Sequence, residues 1–188
     1  MVRASSQRGV VFSAAAVLLL SACSRSNPAG QASASPRQSP AVTEGLARAR
    51  AATARFVSLD SAVAAGYGRD VARCYVDSHH GAMGFHHVNR ANVDARVDVE
   101  RPEILLYERF PDGRYVLNGM EYIVPYRAWP KDSVPPTLLG MPMLQQEELQ
   151  IWYLHIWAWT DNASGLFADY NPAVRCPAGT EARLQNAN

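Results

Sequence analysis

The chain has 188 residues, with 18 Lys and Arg against 17 Asp and Glu and a formal net charge of +1. A nearly neutral chain lacks the basic charge that nucleic-acid binding requires, so no nucleic-acid partner is predicted. Once the N-terminal segments described next are set aside, the remaining length is that of one domain.

The N-terminus is typical of a secretory signal. Arg3 and Arg8 precede the apolar run VVFSAAAVLLL, which is too short to span a bilayer as a mature helix and fits a signal-peptide core. The following LSACS resembles the lipobox of bacterial lipoproteins. That resemblance implies a lipoprotein signal peptide over residues 1–22, a lipid on Cys23 and a membrane anchor. The alternative is an ordinary secretory peptide that is cut nearby and leaves a free cysteine.

The resemblance also implies a location in the cell envelope. Ser24 follows the cysteine, which in a Gram-negative cell indicates outer-membrane sorting. Removal of residues 1–22 takes away two arginines and no acid, so the formal charge becomes −1. Residues 23–41 are rich in Ser, Pro, Ala and Gln without apolar periodicity, which predicts a disordered tether. A single domain over 42–180 and a flexible tail over 181–188 complete the predicted organisation.

The domain is predicted to begin with a helix and to continue with antiparallel strands. Over residues 42–68 apolar positions recur at helical spacing, with Thr43 as N-cap and Gly66 as C-cap. Strands are predicted over 84–89, 104–118 (a hairpin with a Pro-Asp-Gly turn), 119–126 and 151–159, with a long ordered loop over 130–142. This order predicts an α+β fold in which the N-terminal helix packs on an antiparallel sheet.

The cysteine count is consistent with one disulfide. If Cys23 carries a lipid, Cys74 and Cys176 remain. An even count in an oxidising compartment predicts that these two are bonded to each other. The alternative is two separate buried thiols.

Polar residues interrupt two strands that are otherwise apolar. The strand predicted over 151–159 is apolar on both faces, as in strands covered on both sides, yet it contains His155. Glu121 has similar surroundings, and a buried carboxylate is costly unless it is paired or coordinates a metal. If the strands share one sheet, His86 is expected to converge with this pair. Two neutral imidazoles and one carboxylate are ligands for Zn, Fe, Mn or Cu, with positions left for water or substrate.

A series of motifs from Gly66 to Cys176 resembles a family of uncharacterised bacterial secreted proteins and lipoproteins. The motifs are AGY, Cys74, MGFHHVN, RPEILLYE, DGRYVLNGMEYIVP, LHIWAW and GLFADYNPAVRC. The resemblance implies no particular activity, but it distinguishes histidines at motif positions from the others. His86, Glu121 and His155 fall on motif positions, whereas His87 replaces a residue that is usually aromatic. Ala163 stands where the family usually has Pro.

Several alternatives compete with a metal site. His79 and His80 are predicted to be exposed loop residues, and His87 a packed or half-exposed strand residue. Glu121 and one histidine can form a hydrogen-bonded pair that specifies the core without a metal. A copper-handling site of His and Met is a second functional hypothesis, drawn from the residues Met83, Met120, Met141 and Met143. A non-catalytic envelope protein that binds a partner or a small apolar ligand is a third, with a pocket of Trp152, Tyr153, Trp157 and Trp159.

Replacement of Cys23 by Ser tests the anchor. We expect the Cys23→Ser variant to lose lipid attachment and to move from the membrane fraction to the soluble fraction, because the acyl chains supply the membrane affinity. Fractionation followed by mass spectrometry of the mature N-terminus measures both effects. A variant that stays in membranes as firmly as the parent contradicts the lipoprotein prediction.

Overall fold

The computed structural model describes residues 39–68 and 73–184, so the predicted signal peptide, Cys23 and most of the tether lie outside the described residues. The described chain has an α+β fold with helices at its start and a sheet after them. None of the helices in these ranges has the length and apolar composition needed to cross a bilayer.

The predicted N-terminal helix is divided into three consecutive pieces. Helix α1 spans Pro40–Thr53, a 3-10 turn spans Ala54–Val57, and helix α2 spans Leu59–Ala64. The division follows from Ser58, whose extended backbone leaves the helix and whose side chain accepts a hydrogen bond from Ser61 N to begin α2.

The predicted helix ends agree with the structure at one end only. The N-cap is Ser39 rather than Thr43, because Ser39 accepts from Val42 N and Pro40 takes the first helical turn. At the other end Gly66 has φ +100°, the left-handed conformation expected of a glycine that follows a helix.

Seven of the nine described strands form one sheet, in which all neighbours are antiparallel except β1 and β9. The strands are β1 Cys74–Asp77, β2 Gly81–Val88, β3 Ile104–Arg109, β4 Tyr115–Pro125, β5 Thr137–Leu138, β6 Met141–Pro142, β7 Leu144–Gln146, β8 Ile151–Ile156 and β9 Glu181–Ala182. The order across the large sheet is β7-β8-β4-β3-β2-β1-β9, and β5 and β6 form a separate small hairpin. The sheet thus places β4, its longest strand, between β3 and β8.

Two predicted strand boundaries differ from the structure. The second arm of the hairpin and the strand predicted over 119–126 are one continuous strand, β4, because no turn occurs at Gly119. The absent side chain at Gly119 lets β4 pass the neighbouring backbone, since a Cβ there would lie 2.5 Å from Ile156 O. Strand β8 ends at Ile156 instead of Trp159, because Trp157 N bonds to Leu166 O and Trp159 N to Asn118 O.

The C-terminal part of the chain also differs from prediction. The segment predicted as a loop over 130–142 contains the β5–β6 hairpin. Glu181–Ala182, assigned above to a flexible tail, pairs in parallel with Cys74 and Tyr75, so the sheet continues past residue 180. The predicted disulfide is present: Cys74 and Cys176 are bonded, with Cα atoms 5.6 Å apart.

The large sheet buries both of its faces. One face packs against the helices, and its buried core includes Leu46, Phe56, Leu105, Tyr107, Met120, Tyr122, Leu154 and Ile156. The opposite face carries a smaller apolar cluster that includes Ile104, Leu106, Ile123 and Tyr153. Because side chains alternate along a strand, Glu121 and His155 face this second cluster and not the helices.

One buried carboxyl extends the β3–β4 ladder just before β3 begins. The last β3–β4 partners are Ile104 and Glu121, and beyond them Ile123 N donates to the side chain of Glu103 at 3.0 Å. Glu103 is buried, and burial raises the pKa of its carboxyl from 4.5 to about 8. The side chain is therefore largely protonated at neutral pH in the folded chain.

This shift predicts a stability that falls with rising pH. Between about pH 4.5 and 8 the folded chain holds a proton on Glu103 that the unfolded chain releases, so the free energy of unfolding decreases by up to about 1.4 kcal/mol per pH unit. Glu103→Gln removes this contribution. Denaturant unfolding at a series of pH values measures the difference between the two proteins. If the free energy of unfolding depended on pH in the same way for both proteins across this window, the raised pKa assigned to Glu103 would be contradicted.

Candidate metal site

Strand register brings two of the three predicted residues together. Glu121 on β4 and His155 on β8 are direct cross-strand partners, so their side chains leave the same face of the sheet. His86 lies on β2, separated from β4 by β3, with Leu106 as its own partner. Its imidazole reaches across this face to the carboxylate of Glu121.

The three side chains converge. His86 Nε2 lies 3.3 Å from Glu121 Oε2, and His155 Nε2 lies 3.8 Å from the same oxygen. One ligand atom from each residue can be chosen so that all three lie within 4.8 Å of one another. Bonds of about 2.0–2.2 Å to a tetrahedral ion hold neighbouring ligand atoms roughly 3.3–3.6 Å apart. The two measured separations are close to that range.

All three side chains are largely removed from solvent, as predicted. His155 is 1% exposed and Glu121 6%, while the side chain of His86 is 13% exposed. His155 Nε2 is buried without a hydrogen-bond partner. In a purely structural histidine–glutamate pair, this nitrogen would form a hydrogen bond. The absence of one at His155 Nε2 favours a site that receives a further atom.

Asp169 fixes the orientation of His155. His155 Nδ1 lies 3.4 Å from Asp169 Oδ1, and Tyr153 donates its hydroxyl to Asp169 Oδ2 at 2.9 Å. A proton on Nδ1 leaves the Nε2 lone pair directed at the site, which is the arrangement found around metal-bound histidines. Nothing in the residue pattern singled out Asp169. It lies in a turn segment after β8 that carries no strand or helix pattern to place it.

Burial and neighbouring charges shift the pKa values of the three residues in different directions. Burial, together with the nearby His155, lowers the pKa of His86 to about 3, so this imidazole is neutral at neutral pH. Burial raises the pKa of Glu121. Burial alone would lower the pKa of His155, but the carboxylates of Glu121 and Asp169 outweigh it and raise the pKa.

A cavity of about 580 Å³ opens onto the site. Among the residues that the structure describes, its polar lining consists of the three candidate ligands, Arg73 and Gln146, apart from the hydroxyls of two tyrosines. The remaining lining residues are apolar or aromatic: Tyr75, Met83, Val88, Ile104, Ile123, Leu149, Ile151, Tyr153 and Leu184. Coordination positions that the protein leaves open would therefore face this cavity.

The other histidines lie where the sequence placed them. His79 and His80 are exposed, and His80 Nδ1 lies 2.7 Å from the Asp77 carboxylate. His87 is fully buried, and its Nδ1 is 2.5 Å from Gly68 O. Its ring packs against Tyr107 and Tyr115, away from the cavity.

The two alternative clusters do not assemble as expected. Of the four methionines, only Met83 lines the cavity; Met120 and Met143 belong to the helix-side core, and Met141 is exposed. Among the described residues, then, methionine sulfurs and imidazoles do not form one copper-type site. Of the four aromatic residues assigned to an apolar pocket, only Tyr153 lines the cavity. The three tryptophans pack in the core instead.

Comparison with known proteins found no protein-family model, no curated protein and no solved structure that matches this chain. The family resemblance drawn from the motifs thus stays a prediction. The site is interpreted from its own geometry.

Asp169→Asn tests how the site is electrostatically arranged. The variant lacks the negative charge that lies beside His155 Nδ1 and favours the protonated imidazole. We therefore expect the pKa of His155 to fall. Titration of the imidazole signals by NMR measures the shift. Asp77→Asn, which removes the carboxylate beside the exposed His80, is the matched control and leaves His155 unchanged. An unaltered His155 pKa in Asp169→Asn would contradict the assigned contact.

Proposed function

We propose that this chain is a lipid-anchored protein of the cell envelope that binds one divalent transition metal through His86 Nε2, Glu121 and His155 Nε2. The observation that carries the metal proposal is the approach of two imidazole Nε2 atoms to one buried carboxylate oxygen, at 3.3 and 3.8 Å. The proposal of an envelope location rests on the lipobox-like sequence before Cys23, and the Cys74–Cys176 disulfide supports an oxidising compartment.

The donor atoms favour certain metals. Two imidazoles and a carboxylate suit Zn, Fe(II) and Mn, and a site with nitrogen and oxygen donors also accepts Cu(II). Three protein ligands leave at least one coordination position for water or another molecule, as in catalytic zinc sites and in Fe(II) sites with two histidines and one carboxylate. A bound metal would supply Lewis acidity at the end of the cavity.

The chain's own residues would prepare the site for this ion. His86 is held neutral, so its lone pair is available without loss of a proton. Asp169 orients His155 from behind, and Tyr153 holds Asp169 in turn. The apolar walls limit water around the ion, which strengthens its attraction for a negatively charged donor.

Glu121→Gln tests the metal proposal directly. We expect the mature chain to bind one Zn²⁺ and the variant to lose more than about 100-fold in affinity, since even outer partners of metal ligands contribute 10- to 100-fold. Isothermal titration of the metal-free, disulfide-bonded chain measures affinity and stoichiometry. A parallel metal analysis of the purified proteins identifies the ion acquired in the cell.

Two matched variants control this experiment. Glu103→Gln makes the same chemical change at a buried carboxyl outside the site and keeps zinc affinity. The double variant His79→Ala, His80→Ala removes exposed imidazoles that bind zinc adventitiously, and it also keeps the single tight site. If Glu121→Gln binds zinc as tightly as the parent, the proposal is wrong.

A further inference from the structure

The cavity-lining side chains of β8 run from a polar residue to an apolar one. His155, Tyr153 and Ile151 follow one another on the same face of β8, and all three line the cavity. Four residue steps of strand separate the first from the last, which corresponds to about 13 Å. The candidate ligands therefore lie at the polar end of this row, and Ile151 lies at its apolar end, beside Gln146 on β7.

The walls select against polar molecules. Between the two ends the lining consists of side chains such as Ile104, Ile123 and Tyr153. At the far end Gln146 is buried, and its side-chain oxygen already accepts a hydrogen bond from Glu148 N. A sugar or a polar peptide would bury more hydroxyl or amide groups than the amide of Gln146 and the two tyrosine hydroxyls can pair, at a cost of about 1–3 kcal/mol for each group left over. An apolar body meets no such cost.

Arg73 adds a positive charge at the polar end. It directly precedes Cys74, whose strand partner is Phe85, so the antiparallel register places Arg73 alongside His86. Its side chain lines the cavity and forms no ion pair with any residue that the structure describes. The start of β1 is held in place by the disulfide of Cys74 and by the bond from Cys74 N to Thr180 O at 2.8 Å.

The described charges at this end are those of Glu121, of Asp169 behind His155, and of the exposed Arg73. The two carboxylates would balance the charge of a divalent ion, and Arg73 adds a solvated positive charge beside the cavity. A carboxylate at an open coordination position would place one oxygen on the metal and the other near the guanidinium. A neutral ligand lacks this attraction to Arg73.

We infer that the cavity binds a small monocarboxylate with an apolar body, its carboxylate placed between the metal and Arg73 and its body extended along β8 toward Ile151. This inference rests on the proposed metal site, and it specifies the class of molecule that occupies the open coordination positions.

Zinc-loaded protein and paired probes test this inference. The probes are 3-phenylpropionate and octanoate, and the neutral amide of each acid is its matched control. Zinc affinity is measured first for every protein, and probe binding to the zinc-loaded form is then measured by titration calorimetry. We expect both acids to bind one per chain and both amides to bind at least tenfold more weakly.

Two variants locate the probe. Arg73→Gln, at an exposed position, weakens binding of the acids about twofold to fivefold, as expected for loss of a solvent-exposed ion pair, and leaves the amides unchanged. Ile151→Trp fills the apolar end and weakens the acids at least tenfold without changing zinc affinity. Val134→Trp, at an exposed position outside the cavity, changes neither the affinity for the acids nor the affinity for zinc.

The outcomes separate the two proposals. If the chain binds zinc but neither acid binds, or if acids and amides bind equally, the inference is wrong and the metal site stands. An unchanged affinity of the acids in Arg73→Gln also overturns the assigned role of the guanidinium, and this result does not depend on how well Ile151→Trp folds. If the parent chain does not bind zinc, the proposed function fails, and the inference fails with it.

Discussion

The register between β4 and β8 is the constraint on which the rest of the site depends. It sets Glu121 opposite His155 on the face that lies away from the helices. A shift of β4 by one residue would turn Glu121 toward the helix-side core and bring Met120 or Tyr122 to the cavity, while His155 would stay on its face. The buried side chains on both faces oppose such a shift, because β4 and β8 carry large apolar residues on each side. The same packing that stabilises the sheet therefore holds the candidate ligands together.

The two faces of the sheet have different roles. The helix-side face contains most of the buried apolar residues, and two of its tyrosines bond to backbone carbonyls. The hydroxyl of Tyr122 donates to Val99 O at 2.7 Å, and that of Tyr67 donates to Pro102 O at 2.8 Å. The opposite face has a smaller apolar cluster, and its polar groups point at one another around the cavity. The stability of the domain thus depends mainly on one face, which leaves the other available for binding.

Residue pattern was sufficient to single out Glu121 and His155 as candidate ligands because they break a strong rule, and the motif resemblance added His86. Glu121 and His155 stand in strands that are apolar on both faces, and such positions require a specific partner. The disulfide was predictable for a similarly simple reason, the pairing of the two cysteines left after Cys23 is assigned to a lipid. The exposed positions of His79 and His80 agree with their place outside the series of motifs.

Other features depend on contacts between distant segments, which residue pattern does not encode. The continuity of β4 through Gly119 reflects a close approach to the backbone at Ile156. The early end of β8 reflects hydrogen bonds from Trp157 and Trp159, which follow the strand, to Leu166 and Asn118. Asp169 and Arg73 belong to segments without periodicity, and only the folded chain brings them to the site. The ligand set was therefore predictable, whereas the groups that orient and complement it were not.

The proposed metal site would link metal binding to folding. Removal of Glu121, His86 and His155 from water is unfavourable, and the buried Nε2 of His155 recovers no hydrogen bond in return. A metal ion would offset this cost, since it would bind both imidazole nitrogens and the carboxylate at once. An ion that binds the folded chain and not the unfolded one stabilises it by RT ln(1 + [metal]/Kd), about 2.7 kcal/mol when the free metal is at 100 times Kd. The larger helix-side core contributes stability separately from this site, so the fold can hold these buried polar groups together.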